Sequence, residues 1–202
     1  MPRIGAEPAR RRELINAALY VIGESGTLDV SVKAIANKAG MSSALAFHYF
    51  GGKDEIVTET MRFLLSDLTA NLRSRLIGKV DPHQRLEAIL EASFSGSQFK
   101  RKTIAAWLVF YVHAYSSKSA ARLLNVYSRR LESNLVHAYR QIFADLPHAK
   151  KVAESTASMI DGVFIRHALR KNGPDRFEAI EICRSHIAAQ IAANSSIRGQ
   201  QP

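Results

Sequence analysis

Polar side chains that could bind phosphate or the edge of a base are concentrated in one short segment of the chain. The segment offers hydroxyl groups at Ser42, Ser43 and Tyr49, an imidazole at His48 and an ammonium at Lys53. Hydroxyl and ammonium groups donate hydrogen bonds to phosphate oxygens, and an imidazole can donate to a base edge or accept from it. This chemistry suits binding to nucleic acid, provided that a scaffold presents these side chains together.

The spacing of apolar residues predicts that the scaffold is a pair of short helices joined by a tight turn. Ser31 and Ser42 are each placed to cap a helix by accepting a hydrogen bond from its first backbone N–H groups. Gly40 lies between the two helices, where a left-handed backbone is cheap only for glycine. The first helix has an apolar stripe formed by Val32, Ile35, Ala36 and Ala39.

The second helix is predicted to present small and polar side chains to a partner. Leu45 and either Tyr49 or Phe50 are expected to face inward. The outer face is then left with Ser43, Ala44, Ala46, Phe47 and His48. The major groove of B-form DNA admits one helix, and a helix-turn-helix places its second helix there. We therefore predict that this segment docks on double-stranded DNA, the alternative being a helical corner inside an all-helical core.

The same stretch resembles the TetR family of one-component transcriptional regulators. The resemblance is carried by Ile35-Ala36, Ala39-Gly40, Ser42, Tyr49-Phe50 and Lys53. It implies that Tyr49 and Lys53 contact DNA phosphates, which agrees with the chemistry of a phenol and an ammonium. The sequence departs from the family at Phe47, where tyrosine is usual, and at Ala44, where glycine is frequent. One phosphate-binding hydroxyl is therefore missing at position 47.

A basic cluster at the start of the N-terminal helix, which precedes the two short helices, is a second candidate for contact with DNA. Arg3 and the residues 10–12 could reach the DNA backbone or the minor groove, as basic arms of helix-turn-helix proteins do, or they could form a solvated helix start. The complete predicted DNA-binding set is Arg10, Ser31, Lys33, Ser42, Ser43, Ala44, His48, Tyr49 and Lys53.

Composition narrows the class of protein. The formal net charge of +10 favours an anionic partner, but residues 1–53 hold seven basic and four acidic side chains, so most of the excess lies elsewhere. Cys183 is the only cysteine, which excludes an internal disulfide and fits a reducing cytoplasm. We expect no signal peptide, no membrane partner and no stretch of the roughly 20 apolar residues that span a bilayer.

Helical periodicity and start signals continue to the end of the chain, so an all-α fold is predicted. Its expected divisions are an N-terminal helix-turn-helix domain, residues 1–53, and a C-terminal helical domain, residues 54–202, for effector binding and dimerisation. After a first helix that supports the DNA-reading pair, the predicted helices cover 53–78, 81–98, 100–115, 118–145, 147–171 and 175–193. In the TetR family the second domain binds a small molecule and dimerises, and the last two helices are the expected interface.

Further resemblance narrows the family to BetI-type repressors, which control glycine betaine synthesis from choline. It is carried by MPRIG, Pro8-Ala9-Arg10-Arg11, Ser97-Gln98, Trp107-Leu108-Val109-Phe110, Ser133-Asn134-Leu135, Leu146-Pro147-His148-Ala149 and Ile160-Asp161-Gly162. The resemblance implies a repressor that binds a palindromic operator as a homodimer and is released by choline. Another TetR-type regulator with an unrelated effector is the alternative.

Choline is a quaternary ammonium, and aromatic faces with a nearby carboxylate suit such a cation. Trp107 and Tyr111 lie one helical turn apart in the segment with the highest aromatic density, and Asp161 is an acid within an apolar run. The predicted ligand-binding set is Phe94, Trp107, Phe110, Tyr111, Tyr127 and Asp161. The alternative is that the aromatic residues are ordinary core and that Asp161 is a packing site or cap.

Other functional classes find little support. The sequence lacks the GxSxG, HExxH and phosphate-loop patterns, and its seven histidines are scattered without metal-ligand spacing. We therefore predict no catalytic residue, no metal site and no cofactor, with a helical enzyme as the least favoured alternative. A DNA-packaging protein that responds to no ligand is a further alternative, which the long second domain disfavours.

Overall fold

The computed structural model describes residues 6–78 and 81–198, which form nine α-helices and no strand. The helices are α1 (Ala6–Ser25), α2 (Val32–Lys38), α3 (Ser43–Phe50), α4 (Lys53–Leu76), α5 (Pro82–Ser93), α6 (Arg101–Ser116), α7 (Lys118–Ile142), α8 (Leu146–Ala168) and α9 (Arg176–Arg198). The predicted all-α fold is confirmed. Arg3, predicted to reach DNA, lies outside the described residues. Within them, no helix combines the length and apolar character needed to cross a membrane.

Local signals in the sequence account for most helix boundaries. Asp81 caps α5 by accepting from the backbone N–H of Gln84 at 2.9 Å, as its position before Pro82 predicts. The predicted end of α5 near Gln98 is wrong, because the helix stops at Ser93. The segment that follows, Phe94-Ser95-Gly96-Ser97, turns instead, since serine and glycine favour turns over a continued helix.

The first compact unit contains residues 6–67 together with Lys100–Leu124. Its fully buried side chains include Leu14, Ile22 and Ile35, and α6 packs along α1. The helix with the highest aromatic density therefore folds with the helix-turn-helix. The assignment of DNA binding to residues 1–53 and of effector binding and dimerisation to residues 54–202 concerns function and stays a prediction.

The second compact unit contains Leu68–Phe99 and the described residues from Asn125 onward. Tyr139 of α7 shares a buried hydrogen bond of 2.8 Å with Thr156 of α8. Arg184 of α9 forms an ion pair with Glu87 of α5 at 2.5 Å, and the two side chains have 47% and 36% of their surface exposed. The buried apolar contacts, rather than this exposed pair, supply most of the stability of the unit.

Candidate DNA-binding interface and effector residues

The helix α3 has one buried side and one exposed side, as a helix that reads DNA requires. Ala46 and Phe50 are buried, one helical turn apart. Ala44 and His48 are exposed, Ser43 is half-buried, and Phe47 has 49% of its surface exposed. The prediction that Ala46 faces a partner is wrong, because it shares its face of the short helix with Phe50. The small side chain at position 44 leaves room for close approach of a groove wall.

Ser31 and Ser42 cap the N-terminal ends of α2 and α3. Ser31 Oγ accepts from the backbone N–H of Ala34 at 3.0 Å, and Ser42 Oγ accepts from that of Leu45 at 3.1 Å. Each hydroxyl accepts these bonds with its oxygen and keeps its proton for donation. Both serines are exposed, so the caps are compatible with the predicted role in contacting phosphate.

Tyr49 and Lys53 lie on either side of the turn between α3 and α4. The turn is made by Gly51, whose φ of 69° is the left-handed conformation that glycine adopts at low cost. Lys53 is the first residue of α4, where unpaired backbone N–H groups also favour an anion. Both side chains are half-buried, which limits their rotation. A phosphate near this turn would meet a phenol, an ammonium and a helix N-terminus.

The three arginines of the basic cluster have different surroundings. Arg10 is exposed and pairs with Glu13 at 3.0 Å, and Lys33 of α2 is also exposed. Arg12 has its guanidinium 5.9 Å from the ring centroid of Phe63. The predicted residues Arg10 and Lys33 are thus both at the surface of the unit that carries α3.

Arg11 is the residue that the sequence-based set missed. It is half-buried, donates a hydrogen bond to the backbone carbonyl of Tyr49, and lies over the ring of Phe50 at 4.4 Å. The spacing of Arg11 with the buried Leu14 and Ala18 places all three on one face of α1. That shared spacing was the available signal, although arginine is usually assigned to the solvent side.

A polar cluster connects α1, α2 and the start of α6 within the first compact unit. Lys102 pairs with Glu24 at 2.5 Å, and the ammonium groups of Lys102 and Lys38 each lie 3.7 Å from the ring centroid of Tyr20. The hydrogen bond from Lys102 and the positive charges of Lys102 and Lys38 lower the pKa of the Tyr20 phenol. Hydrogen bonds to Glu24 and Tyr20 raise the pKa of Lys102, so its ammonium form is favoured. The cluster fixes α6 against the helices that support α3.

Three of the predicted ligand-binding residues lie on α6. Trp107 and Phe110 are buried, whereas Tyr111 has 36% of its surface exposed. The rings of Trp107 and Tyr111 are 6.3 Å apart between centroids and tilted by 45°. The predicted neighbourhood of these two rings is therefore present, and their assignment to a cage stays a prediction.

The other three predicted ligand-binding residues belong to the second compact unit. Phe94 is fully buried, and Tyr127 and Asp161 are half-buried. Phe94 meets Phe99 edge-on with 5.0 Å between ring centroids and lies 6.4 Å from Phe164. An aromatic cluster therefore surrounds Phe94, and the sequence-based set had included only this one of its members.

His167 of α8 extends this cluster with a polar group. Its ring is 5.5 Å from that of Phe99, and its Nδ1 accepts from the backbone N–H of Asp175 at 3.2 Å. Burial lowers the pKa of His167, which keeps the imidazole neutral and consistent with an accepting Nδ1. The bond holds the end of α8 to the start of α9.

Two capped short helices, a four-residue connection between them and an exposed second helix that ends beside the phenol of Tyr49 and the ammonium of Lys53 are typical of the helix-turn-helix class of DNA-binding regulators. Comparison with known families agrees. Residues 14–60 match the model of the bacterial regulatory proteins of the tetR family, and residues 82–192 match that of the BetI-type transcriptional repressor C-terminal domain.

Relatives with the same description cover nearly the whole chain. The HTH-type transcriptional regulator BetI of Brucella melitensis biotype 2 is 50% identical over 196 residues, which are 97% of this chain and 98% of the relative. The corresponding regulator of Agrobacterium fabrum is 47% identical over 170 residues, 84% of this chain and 82% of the relative. The chain therefore belongs to the TetR family of transcriptional regulators and carries a BetI-type C-terminal domain.

Solved structures share the fold. A transcriptional regulator from Pseudomonas aeruginosa PAO1 is 26% identical, with a TM-score of 0.79 over 94% of this chain and 93% of that one. A transcriptional regulator from Saccharomonospora viridis in complex with choline is 21% identical, with a TM-score of 0.78 over 88% of this chain and 95% of that one. At this identity the second likeness concerns the fold alone.

Proposed function

We propose that this protein is a choline-responsive repressor that binds a palindromic operator as a homodimer and controls glycine betaine synthesis. The observation that carries the proposal is the match of residues 82–192 to the BetI-type C-terminal domain in the same chain as a tetR-type N-terminal segment. Because its partner is genomic DNA, the protein acts in the cytoplasm.

DNA binding follows from the two sides of α3. The N-terminal residues Ser43 and Ala44 enter the major groove with His48, whose imidazole can bond a base edge. Tyr49 and Lys53 hold phosphates on the flank of the groove and fix the register of the helix. The exposed Arg10 and Lys33 add further contacts to the backbone.

Dimerisation supplies the second half of the operator, because one short helix reads too few base pairs. Two half-sites about 34–36 Å apart match a twofold dimer. Exposed or half-buried residues follow one another along α8 and α9 at helical spacing. They are Ser158, Gly162 and Ile165 on α8, Leu169 directly after α8, and Ile182, Ser185 and Ala189 on α9. A Cβ at Gly162 would meet nothing within 4 Å in this chain, which leaves room for a helix of a second copy.

The effector is a quaternary ammonium such as choline. Aromatic faces attract this cation through their quadrupole, and a carboxylate adds counter-charge. Trp107 and Tyr111 offer two neighbouring rings for this cation. Choline binds more tightly to the conformation of the protein in which the two α3 helices do not match the half-sites. Its binding therefore shifts the protein to that conformation and releases it from the operator.

The test is a titration of the purified protein with choline and with betaine aldehyde. Trp107 is the only tryptophan, so its fluorescence reports on α6 without interference. Release of DNA from the protein's own upstream region is followed in parallel. We expect saturable quenching over the same concentration range as loss of DNA binding, and weaker binding of choline by a Tyr111→Leu variant.

Two outcomes distinguish the components of the proposal. Specific DNA binding that neither compound affects would remove the choline assignment and favour a TetR-type regulator with another effector. Failure to discriminate upstream DNA from random DNA would remove the operator-binding assignment itself. Tetramethylammonium serves as a control for recognition of the cationic head without the hydroxyl group of choline.

A further inference from the structure

We propose that Arg11 is a positioning residue for DNA binding, which fixes the C-terminal end of the reading helix α3 from within the protein. The inference rests on the proposed DNA-binding function of α3. It differs from the expectation for the basic cluster, in which the arginines reach the DNA themselves, because the guanidinium of Arg11 is engaged by the protein.

The first contact satisfies a carbonyl group at a helix end. The last carbonyls of a helix have no partner within it. In α3 the Phe47 carbonyl accepts from the backbone N–H of Gly51 at 2.7 Å, and the Tyr49 carbonyl accepts from the guanidinium of Arg11. A cation at a helix C-terminus is also favoured by the helix dipole. Arg11 therefore stabilises the final turn of α3, where Tyr49 is located.

The second contact fixes the orientation of the same turn. The Arg11 guanidinium lies 4.4 Å from the ring centroid of Phe50, which is itself buried. A guanidinium is planar and can stack on a ring while its N–H groups donate in other directions, which a lysine ammonium cannot reproduce. Arg11 thus holds a backbone group and a side chain of neighbouring residues at once.

The anchor is rigid because its own helix is buried next to it. Leu14, one turn further along α1, is fully buried. The predicted phosphate contact Tyr49 is therefore attached, through its own carbonyl, to the scaffold helix α1 instead of depending on the short α3 alone. Without Arg11, the end of α3 gains freedom, and the phosphate-binding groups on both sides of Gly51 lose their fixed register.

The test measures affinity for the upstream DNA and for random DNA over a range of salt concentrations. The variants are Arg11→Lys and Arg11→Ala, with Arg129→Ala, at an exposed position of α7, as a basic control and Lys53→Ala as a predicted phosphate contact. A lost phosphate contact lowers the salt slope by about 1. We expect both Arg11 variants to lose specific affinity by about tenfold or more while keeping the wild-type salt slope.

Distinct results would overturn the inference. A fall in salt slope for Arg11→Ala equal to that of Lys53→Ala would make Arg11 a phosphate contact. Wild-type affinity in Arg11→Lys would show that charge alone suffices. Thermal unfolding checks that the variants fold, and Phe50→Leu, which keeps an apolar core residue but removes the ring, must also lose specific affinity at unchanged slope. Failure of the wild type to prefer upstream DNA would instead refute the proposed function.

Discussion

The backbone carbonyl of Lys102 occupies the space in which a side chain on Gly23 would begin. An ideal Cβ at position 23 would lie 2.2 Å from the carbonyl oxygen and 2.8 Å from the carbonyl carbon. Both distances are far below van der Waals contact. The missing side chain of Gly23 therefore lets α1 and α6 cross with their backbones in contact.

A Gly23→Ala substitution tests the importance of this crossing. Alanine favours a helix over glycine by roughly 0.5–1 kcal/mol, but its methyl group would collide with backbone atoms, which cannot rotate away. We expect a net loss of about 1–3 kcal/mol in the free energy of unfolding, measured by denaturation followed at Trp107. Gly96→Ala is the control, because a Cβ there would meet nothing within 4 Å. Unchanged stability of Gly23→Ala would contradict a tight crossing.

Phe47 is predicted to read an apolar feature of the operator. Its ring is 49% exposed on the outer side of α3 and has no group that can bond a phosphate. In the major groove an aromatic ring can contact the C5-methyl group of thymine. Replacing the contacted thymine by uracil should weaken binding by about 0.8 kcal/mol, roughly fourfold, in the wild type.

A double substitution cycle checks this contact. The uracil substitution should have no further effect on Phe47→Ala, because the partner of the methyl group is already gone. Phe47→Tyr, which restores the hydroxyl usual in the family, should keep the sensitivity to uracil. Equal effects of uracil on the wild type and on Phe47→Ala at every position of the half-site would rule the contact out.

Tyr139 is expected to make the second compact unit less stable at alkaline pH. Burial raises the pKa of its phenol to about 12, while the unfolded value is near 10. The fold therefore favours the neutral phenol over the ionised one. The contribution of the neutral phenol to the free energy of unfolding is complete below pH 10 and is lost as the pH rises towards 12. The loss approaches about 1.4 kcal/mol per pH unit between the two values.

The matching variant is Tyr139→Phe, studied by urea denaturation from pH 8 to 11.5. At pH 8 it should be less stable by about 1 kcal/mol, because the buried Thr156 hydroxyl loses its partner. The difference should shrink or reverse above pH 10, since only the wild type loses stability through this phenol. Cys183, whose pKa burial also raises to about 12, is common to both proteins and cancels. A difference that does not change with pH would be inconsistent with a buried neutral phenol.

The exposed side of α9 provides a test of the proposed dimer. Ile182 is 38% exposed on this side, and burial of an introduced ammonium in an apolar interface is costly. We expect Ile182→Lys to run as a monomer of 22.4 kDa in sedimentation or light scattering and to lose most operator affinity. Val112→Lys, at an exposed apolar position of α6, should stay dimeric. A dimeric Ile182→Lys variant with full affinity would place the interface elsewhere.

The helix boundaries were predictable because their causes are local. Capping residues such as Ser31, Ser42 and Asp81 act through backbone groups only three residues away, and Gly51 acts through its own φ. The end of α5 was predicted too late, because apolar residues continue through Phe94 and Phe99 although the helix has already ended. The spacing of apolar residues indicates which residues are buried. Because residues in a turn can be buried as well, this spacing did not show where α5 ends.

The surroundings of the candidate-site residues were less predictable where a contact depends on how two helices cross. Spacing along α6 was sufficient to place Trp107 beside Tyr111. It could not show that Arg11 reaches the end of α3, because that contact joins residues 38 positions apart in the chain and depends on how α1 crosses α3. Ala46 was assigned to the wrong side for a related reason: in a helix of eight residues, its inner side is set by the neighbouring helices.

The close fit of Gly23 and Lys102 also bears on how such regulators can be recombined. A segment cut after residue 53 leaves behind residues 54–67 and Lys100–Leu124, which complete the compact unit that contains α2 and α3. Chimeras that exchange operator specificity between relatives should therefore transfer both pieces together, or keep residues 23 and 102 from the same parent. By the same constraint, we expect a substitution at Gly23 of α1 to be tolerated only together with a compensating change on α6, although the two helices are far apart in the sequence.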